Sequence, residues 1–428
     1  MEIKRDFYLQ KLISSKHNGM IKVVTGIRRC GKSYLLMNLF RQHLIEHGIQ
    51  SDHIITLDLE DRRSKRLRNP DALLEWIDSQ ITEWKEPGDV PIEQMFYVML
   101  DEVQLVPEFE DVLNSYLHIP NVDVYVTGSN SRFLSKDVIT EFRGRGWEVH
   151  VTPLSFSEFS SAHPEWSYEA ALDIYMTYGG LPYVCTLTDN RDKEEYLKQL
   201  FEKTYLTDIQ ERYHIRGSEL MGELIDVVAS GIGGMTNPTK IENTFRTTKG
   251  IAIGKNTIAD YLEMLEDSFL VRKAVRYDVK GRRYIDTPHK YYFEDLGLRN
   301  ARIGFRQIEK THLMENMIYN ELCRQGYTVD VGVVTHNTRN DAGQSKRVQL
   351  EVDFVCNRGA ERVYIQSAYA LPDKEKVEQE QASLIRINDS FRKVIVVADR
   401  YLSGYNDDGV RIVSLRDFLL KNDMAVVD

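Results

Sequence analysis

Residues 26–33 read Gly-Ile-Arg-Arg-Cys-Gly-Lys-Ser, and no other stretch constrains the fold of this chain as strongly. Glycines at 26 and 31, ahead of a lysine and a hydroxyl, let the backbone curl so that successive N–H groups face an anion. The apolar run Ile21 to Thr25 leads into the loop, and Ser33-Tyr34-Leu35-Leu36-Met37 opens a helical pattern behind it. Strand, glycine-rich loop and helix in that order make a cradle for a phosphate chain. On this reading Gly26, Ile27, Arg28, Arg29, Cys30, Gly31, Lys32, Ser33 and Tyr34 line the phosphates. Lys32 adds a full positive charge at the β and γ phosphates, and the Ser33 hydroxyl is a ligand for Mg²⁺. Cys30 needs no redox role at a variable loop position.

A second motif separates hydrolysis from other phosphate chemistry. The apolar run Phe96 to Leu100 ends in Asp101-Glu102. Asp101 is suited to hold Mg²⁺ through water, and Glu102 to polarise an attacking water as the catalytic base. After the run Val122 to Val126 comes Thr127-Gly128-Ser129-Asn130-Ser131, where Ser129 or Asn130 is a candidate sensor of the γ phosphate. The same cluster reads equally well as a solvated turn. Arg143-Gly144-Arg145-Gly146 offers Arg143 and Arg145 as guanidiniums for the transferred phosphate of this or a neighbouring subunit, or else as a charged surface turn.

The rest of the first 150 residues alternates short β-branched runs with helical periods, the pattern of a parallel sheet with crossover helices. Strands are expected at 53–59, 95–100, 122–126 and 147–151, and helices at 32–47, 70–84 and 108–118. The length of 428 residues suits two or three domains. A formal net charge of -10 excludes binding nucleic acid by bulk charge, so any such contact needs a local basic surface. Four cysteines without CxxC spacing suggest neither a zinc site nor a disulfide framework. No run of eighteen apolar residues and no signal-like amino terminus occur, so we expect a cytoplasmic protein without membrane contact.

Taken together, the loop at 26–33, Leu-Asp-Glu-Val-Gln at 100–104, Thr-Gly-Ser-Asn at 127–130, Arg-Gly-Arg at 143–145 and Pro-Leu-Ser-Phe-Ser-Glu-Phe at 153–159 resemble the archaeal-type AAA+ ATPases of prokaryotes. Order and spacing match from residue 1 to about 185. The resemblance implies an α/β P-loop domain with strand order 5-1-4-3-2, an ATP site at the carboxyl ends of its strands, and Gly179 to Pro182 on the lid side. It carries over Lys32, Ser33, Asp101 and Glu102, each in its motif, and Ser129, Asn130, Arg143 and Arg145 by position. No guanine-reading Asn-Lys-x-Asp occurs, which favours ATP and ADP as ligands.

Behind this ATPase core (1-155) we expect a helical lid or linker (156-215), a winged-helix-like domain (216-300) and an α/β tail (301-428). Thr257 to Leu265 has the pattern of a recognition helix, with Lys255 and Asn256 at its amino end. We take Arg272, Lys273, Arg276, Lys280, Arg282 and Arg283, against Asp278, as the densest basic run in the chain, a wing for DNA backbone contact or a solvated face of a protein spacer. Thr335 to Arg347 reads as a flexible polar loop. The tail resembles the domain that commonly follows this ATPase type, itself similar to PD-(D/E)XK nucleases. That resemblance implies a helix carboxylate, Glu315 or Glu321, with Asp353 and the following strand. Here Gln366 replaces the second metal carboxylate and Ala368 stands at the lysine position, so the expectation is a degenerate nuclease site. The leading expectation is Mg²⁺-dependent ATP hydrolysis driving a conformational switch, on DNA or on a protein partner. A slow nucleotide-gated binding switch and an ATP-coupled nuclease are the rivals.

Overall fold

The structure is a computed structural model that describes residues 3–81, 91, 94–128, 144–215, 218–306, 308–339, 345–399 and 403–421. The chain divides into two compact units, one formed by Met1–Pro153 with Leu181–Tyr183 and Asp267–Phe269, the other by the remainder.

The first unit is built on a five-stranded parallel sheet of β1 (Ile21–Thr25), β2 (Ile54–Asp58), β3 (Phe96–Asp101), β4 (Val122–Thr127) and β5 (Gly146–His150), in the order β2-β3-β4-β1-β5. This is the expected 5-1-4-3-2 arrangement seen from the other edge. All residues of β1 and β3 are buried, as a parallel sheet covered on both faces requires. On one face, Ile55, Leu57, Val98, Leu100, Val124 and Val126 pack with Leu73 and Ile77 from the helix Pro70–Gln80. That helix starts where Asn69 accepts the N–H of Ala72 and Pro70 occupies the first turn, a strong start signal.

In the second unit an eight-stranded mixed sheet follows a run of helices. Its strands are β6 (Val271–Asp278), β7 (Arg283–Phe293), β8 (Thr328–Arg339), β9 (Ser345–Arg358), β10 (Glu361–Ala368), β11 (Arg392–Val397), β12 (Gly404–Tyr405) and β13 (Arg411–Ser414). Two expectations change here. The strands assigned to a wing are not set apart at residue 300, because β6 pairs with β7 on one side and runs parallel to β8 on the other, from Arg276 opposite Val331 to Asp278 opposite Val333. Of the polar stretch at 335–347, residues 335–339 and 345–347 are strand, Thr335 pairing with Gln349 and Thr338 with Lys346, and residues 340–344 lie outside the described residues. Antiparallel pairing is made by backbone groups, so arms without apolar alternation still form a ladder. Among the described residues no helix is long and apolar enough to cross a membrane.

A charge lies inside the first sheet. Lys22 on β1 is fully buried and is ion-paired with Asp123 on β4. Asp123 also accepts the Tyr125 hydroxyl at 2.8 Å and the His17 N–H at 3.1 Å. Burial pushes the Lys22 ammonium below its ordinary pKa, and Asp123 opposes that shift. Removing one partner of such a pair leaves a stranded charge, at a cost of about 3–5 kcal/mol. Asp123→Asn is therefore expected to lose that much in urea denaturation, and Lys22→Met with Asp123→Leu to recover most of it.

Candidate functional site

The loop after β1 is shaped by positions that admit no side chain. Gly26 has φ 137°, and a Cβ there would lie 2.0 Å from the Val151 carbonyl oxygen. Gly31 has φ 100° and starts the helix at Lys32 that continues to residue 46. The Lys32 ammonium donates to the carbonyls of Gly26 and Ile27, 3.0 Å each, so the cation is held across the loop it would share with a phosphate. Cys30 is sealed beneath, its thiol 3.2 Å from the Val151 carbonyl. Arg5, buried just before the helix Asp6–Ser14, donates to the Thr152 carbonyl at 2.6 Å and to the Cys30 carbonyl at 3.4 Å. The amino-terminal segment thus braces the outside of the loop.

Parallel pairing brings the loop and the acid pair together. In register, Val24 of β1 lies beside Thr127 of β4, and Leu100 of β3 lies beside Val126. Asp101 Oδ1 accepts the Ser33 hydroxyl at 3.0 Å and also the Thr127 hydroxyl. Thr127 Oγ1 in turn accepts the Glu102 N–H at 3.2 Å. Burial raises the Asp101 pKa, and the two hydroxyl donors only partly offset it. Glu102 adopts φ 54°, the left-handed region that costs a non-glycine residue energy and recurs at functional sites. Its carboxylate accepts the Gln104 amide. Thr127 and Gln104 were both in the quoted motifs without an assigned part, because only strand register shows which group faces Asp101 and only the turn shows which faces Glu102.

Ser33 Oγ and Asp101 form an oxygen-only pair beside a phosphate loop. That suits Mg²⁺, which takes one or two protein oxygens and completes its shell with water and phosphate. Among the described residues there is no group of three or more His, Cys, Asp or Glu side chains able to hold a metal by themselves. Ser129, Asn130 and Arg143 lie outside the described residues. Arg145 is exposed, and its carbonyl accepts the N–H of Ile21, at the start of β1. The phosphate loop leaves the other end of that strand, about 16 Å away at the usual rise. Within one chain, then, Arg145 is not brought to Lys32 and Asp101, which corrects its assignment to the chain's own site.

In the second unit Glu315, Asp353 and Gln366 lie together, with Lys290 as an unexpected member. Lys290 on β7 places its ammonium 2.8 Å from Glu315 on the helix Lys310–Arg324, 2.7 Å from Glu351 and 3.6 Å from Asp353 on β9. The Tyr292 hydroxyl donates to Glu315 at 2.6 Å, and the Ser367 N–H to Asp353 at 2.8 Å. Gln366 offers its side-chain oxygen to the Asp353 N–H at 3.4 Å. Glu321 is engaged elsewhere, by Arg324 at 2.6 Å, so Glu315 is the helix carboxylate of this cluster. Burial, then the Glu315 charge, pushes Asp353 up to about 7. The cation of this cluster, Lys290, lies 78 positions before Ala368 in sequence, which no local spacing announces.

The expected DNA-contact residues are divided. Arg272 is bound to Glu294 at 2.6 and 3.1 Å, and Lys273 to Glu266 at 3.2 Å, so both are engaged in ion pairs. Lys255 and Asn256 stand exposed at the start of the helix Lys255–Asp267, Arg282 is exposed in the β6–β7 turn, and Arg283, exposed at the start of β7, lies 3.8 Å from the Asp278 carboxylate. Ile258, Tyr261, Leu262 and Leu265 form the buried face of that helix, as its periodicity indicated.

With this geometry in hand, the chain can be set beside known proteins. Residues 18–160 match the model of an AAA domain, and residues 169–309 that of a domain of unknown function. The chain is 32% identical over 423 residues to an uncharacterized protein of Haemophilus influenzae, covering 98% of this chain and 99% of the relative. An uncharacterized protein of Methanocaldococcus jannaschii is 26% identical over 428 residues, covering 97% of this chain and 88% of the relative. Among solved structures, the Walker-type ATPase of Pyrococcus abyssi superposes with a TM-score of 0.50 at 18% identity, covering 71% of this chain and 96% of that one. That last likeness concerns the fold alone.

The Lys290 cluster makes a pH-dependent prediction. An acid whose folded-state pKa lies above its unfolded value binds more protons when folded, so its contribution to stability falls as pH rises from about 4 through the raised value. In Lys290→Met the three carboxylates lose their counter-charge, and the loss of stability, about 3–5 kcal/mol at full ionisation, should be larger at pH 8 than at pH 5. Urea midpoints of the two proteins at both pH values measure it.

Proposed function

We propose, from the premise that the chain belongs to the family of the Haemophilus influenzae protein and carries an AAA domain at residues 18–160, that it binds ATP with Mg²⁺ at the loop after β1 and hydrolyses it to ADP and phosphate. The observation that carries the proposal is the hydrogen-bonded line Ser33, Asp101, Thr127 and Glu102, which ties the phosphate loop to the acid pair. Ser33 and Asp101 would hold Mg²⁺, which when bound would supply positive charge against the charge that develops on the phosphates. Lys32 exchanges the carbonyls of Gly26 and Ile27 for the β and γ phosphates. The backbone N–H groups of the loop bind the phosphate chain, and the amino end of the helix behind them adds its dipole. Glu102 orients the attacking water and draws its proton. Thr127 fixes the backbone from which that carboxylate projects, and Gln104 fixes the carboxylate itself.

The finer parts of the proposal follow the same residues. Hydrolysis drives a conformational switch in the rest of the chain. Lys255, Asn256, Arg282 and Arg283 are the candidate DNA contacts of the second unit, since their side chains are exposed there. Arg145 acts on the site of a neighbouring copy, and Arg143 on the transferred phosphate of this or a neighbouring copy. We assign the Lys290 cluster no nuclease activity: its three carboxylates already neutralise an internal ammonium.

Glu102→Gln is expected to keep ATP binding while turnover falls by about 10²-fold or more, the usual size of a general-base contribution. Lys32→Ala is expected to lose the binding itself. Phosphate release and labelled-nucleotide binding on the two variants check both statements, and unchanged turnover in Glu102→Gln removes the assigned base.

A further inference from the structure

The densest basic run of the chain lies not at 272–283 but in the first unit. Residues 62–68 read Arg-Arg-Ser-Lys-Arg-Leu-Arg, five cations in seven positions. In the structure they form a 3₁₀ helix, Arg62–Arg68, that follows β2 on the same carboxyl rim of the sheet as the phosphate loop and Asp101. With three residues per turn, positions i and i+3 share a face. Exposure repeats with that period: Arg62, Arg63, Lys65 and Arg66 are exposed, whereas Ser64 and Leu67 are half-buried, Leu67 against the core of the sheet.

The segment is a fixed platform. Arg68 donates to the carbonyls of Leu59 at 2.8 Å and Glu60 at 3.1 Å, closing the base of the turn. Two of the nearby acids serve the backbone: Asp58 accepts the Glu60 N–H at 2.8 Å, and Asp61 accepts the Arg63 N–H at 2.9 Å. Asp61 also pairs with the Arg63 guanidinium. Among the described residues, Arg62, Lys65 and Arg66 have no carboxylate partner, on a chain whose net charge is -10.

We propose that the Arg62–Arg68 helix is a nucleic-acid contact that grips the phosphate backbone of a duplex. Guanidiniums match phosphate oxygens with two parallel N–H donors, and an ordered helix presents them at little entropic cost. Single-strand binding uses aromatic side chains as stacking platforms. Residues 58–71 contain none, so the surface reads backbone charge and no base. An acidic protein segment is the competing occupant. The contact requires no nucleotide, so it stands apart from the ATPase reading.

The test is binding of the full chain to a labelled mixed-sequence duplex across a salt series, without ATP. Each phosphate contact contributes about 0.9 to the slope of log affinity against log salt. Arg62→Ala, Lys65→Ala and Arg66→Ala together should flatten that slope by about 2–3, weaken binding at low salt by more than about tenfold, and leave ATP turnover unchanged. Arg62→Lys with Arg66→Lys should keep most of the slope. An unchanged slope in the triple variant overturns the proposal, as does flattening seen only in Arg282→Ala with Arg283→Ala. A triple variant that loses polyglutamate binding but not duplex binding assigns the surface to an acidic protein instead. Absence of duplex binding with ATP hydrolysis intact sinks this inference and leaves the ATPase reading standing.

Discussion

The Asp101 carboxylate is the point on which the candidate site depends. It ends β3, and one of its oxygens receives hydroxyls from two other segments, Ser33 of the phosphate loop and Thr127 of β4. Neither contact exists unless β4 lies between β3 and β1 with Thr127 level with Val24. The strand order is thus part of the chemistry. A carboxylate left in that buried position without its donors would be driven further toward its neutral form, which is a poor ligand for a hard cation.

The same economy of charge recurs in both units. Lys22 with Asp123 and Lys290 with its three carboxylates are buried cations whose partners come from other strands or helices, and the half-buried Arg272 is paired with Glu294 just beyond β7. Each stands in a place where a wrong register would strand a charge. Such pairs add little net stability compared with apolar packing, but separating them is costly. In Lys290 this logic gives a cluster nuclease-like in its residue types and saturated by a cation of the chain itself. The helix at 62–68 is the opposite case, where among the described residues three exposed cations have no carboxylate partner, which is the basis for proposing one outside the chain.

Much of the fold was legible in the residues. Glycines at 26 and 31, an apolar strand before them and an amphipathic helix after them identify the phosphate loop, and the strands of the first unit fall within a residue or two of their apolar runs. Legibility declined where pairing relies on backbone groups alone. The polar arms near Thr335 and Arg347 carry no alternation, yet the ladder extends through them. The strands at 271–293 look like a self-contained hairpin, and nothing in their composition says that β6 also pairs with β8. The basic run at 62–68 is missed by the expectation that put the densest run at 272–283, and as a charge count it is indistinguishable from a solvated face; its period-three exposure and anchored base belong to the tertiary structure.

Sequence alone therefore determined the character of the loop: glycine is the residue suited to the φ of positions 26 and 31, and Lys32 and Ser33 place an ammonium and a hydroxyl directly behind them. Those are local requirements, met by neighbours along the chain. Tertiary structure decided everything that needs two distant segments to meet: Thr127 on Asp101, Lys290 among Glu315, Glu351 and Asp353, and Arg145 at the far end of β1 from the phosphate loop. The physical reason is that strand order and register are set by burial summed over whole faces of a sheet, and no single residue encodes its partner across that sum.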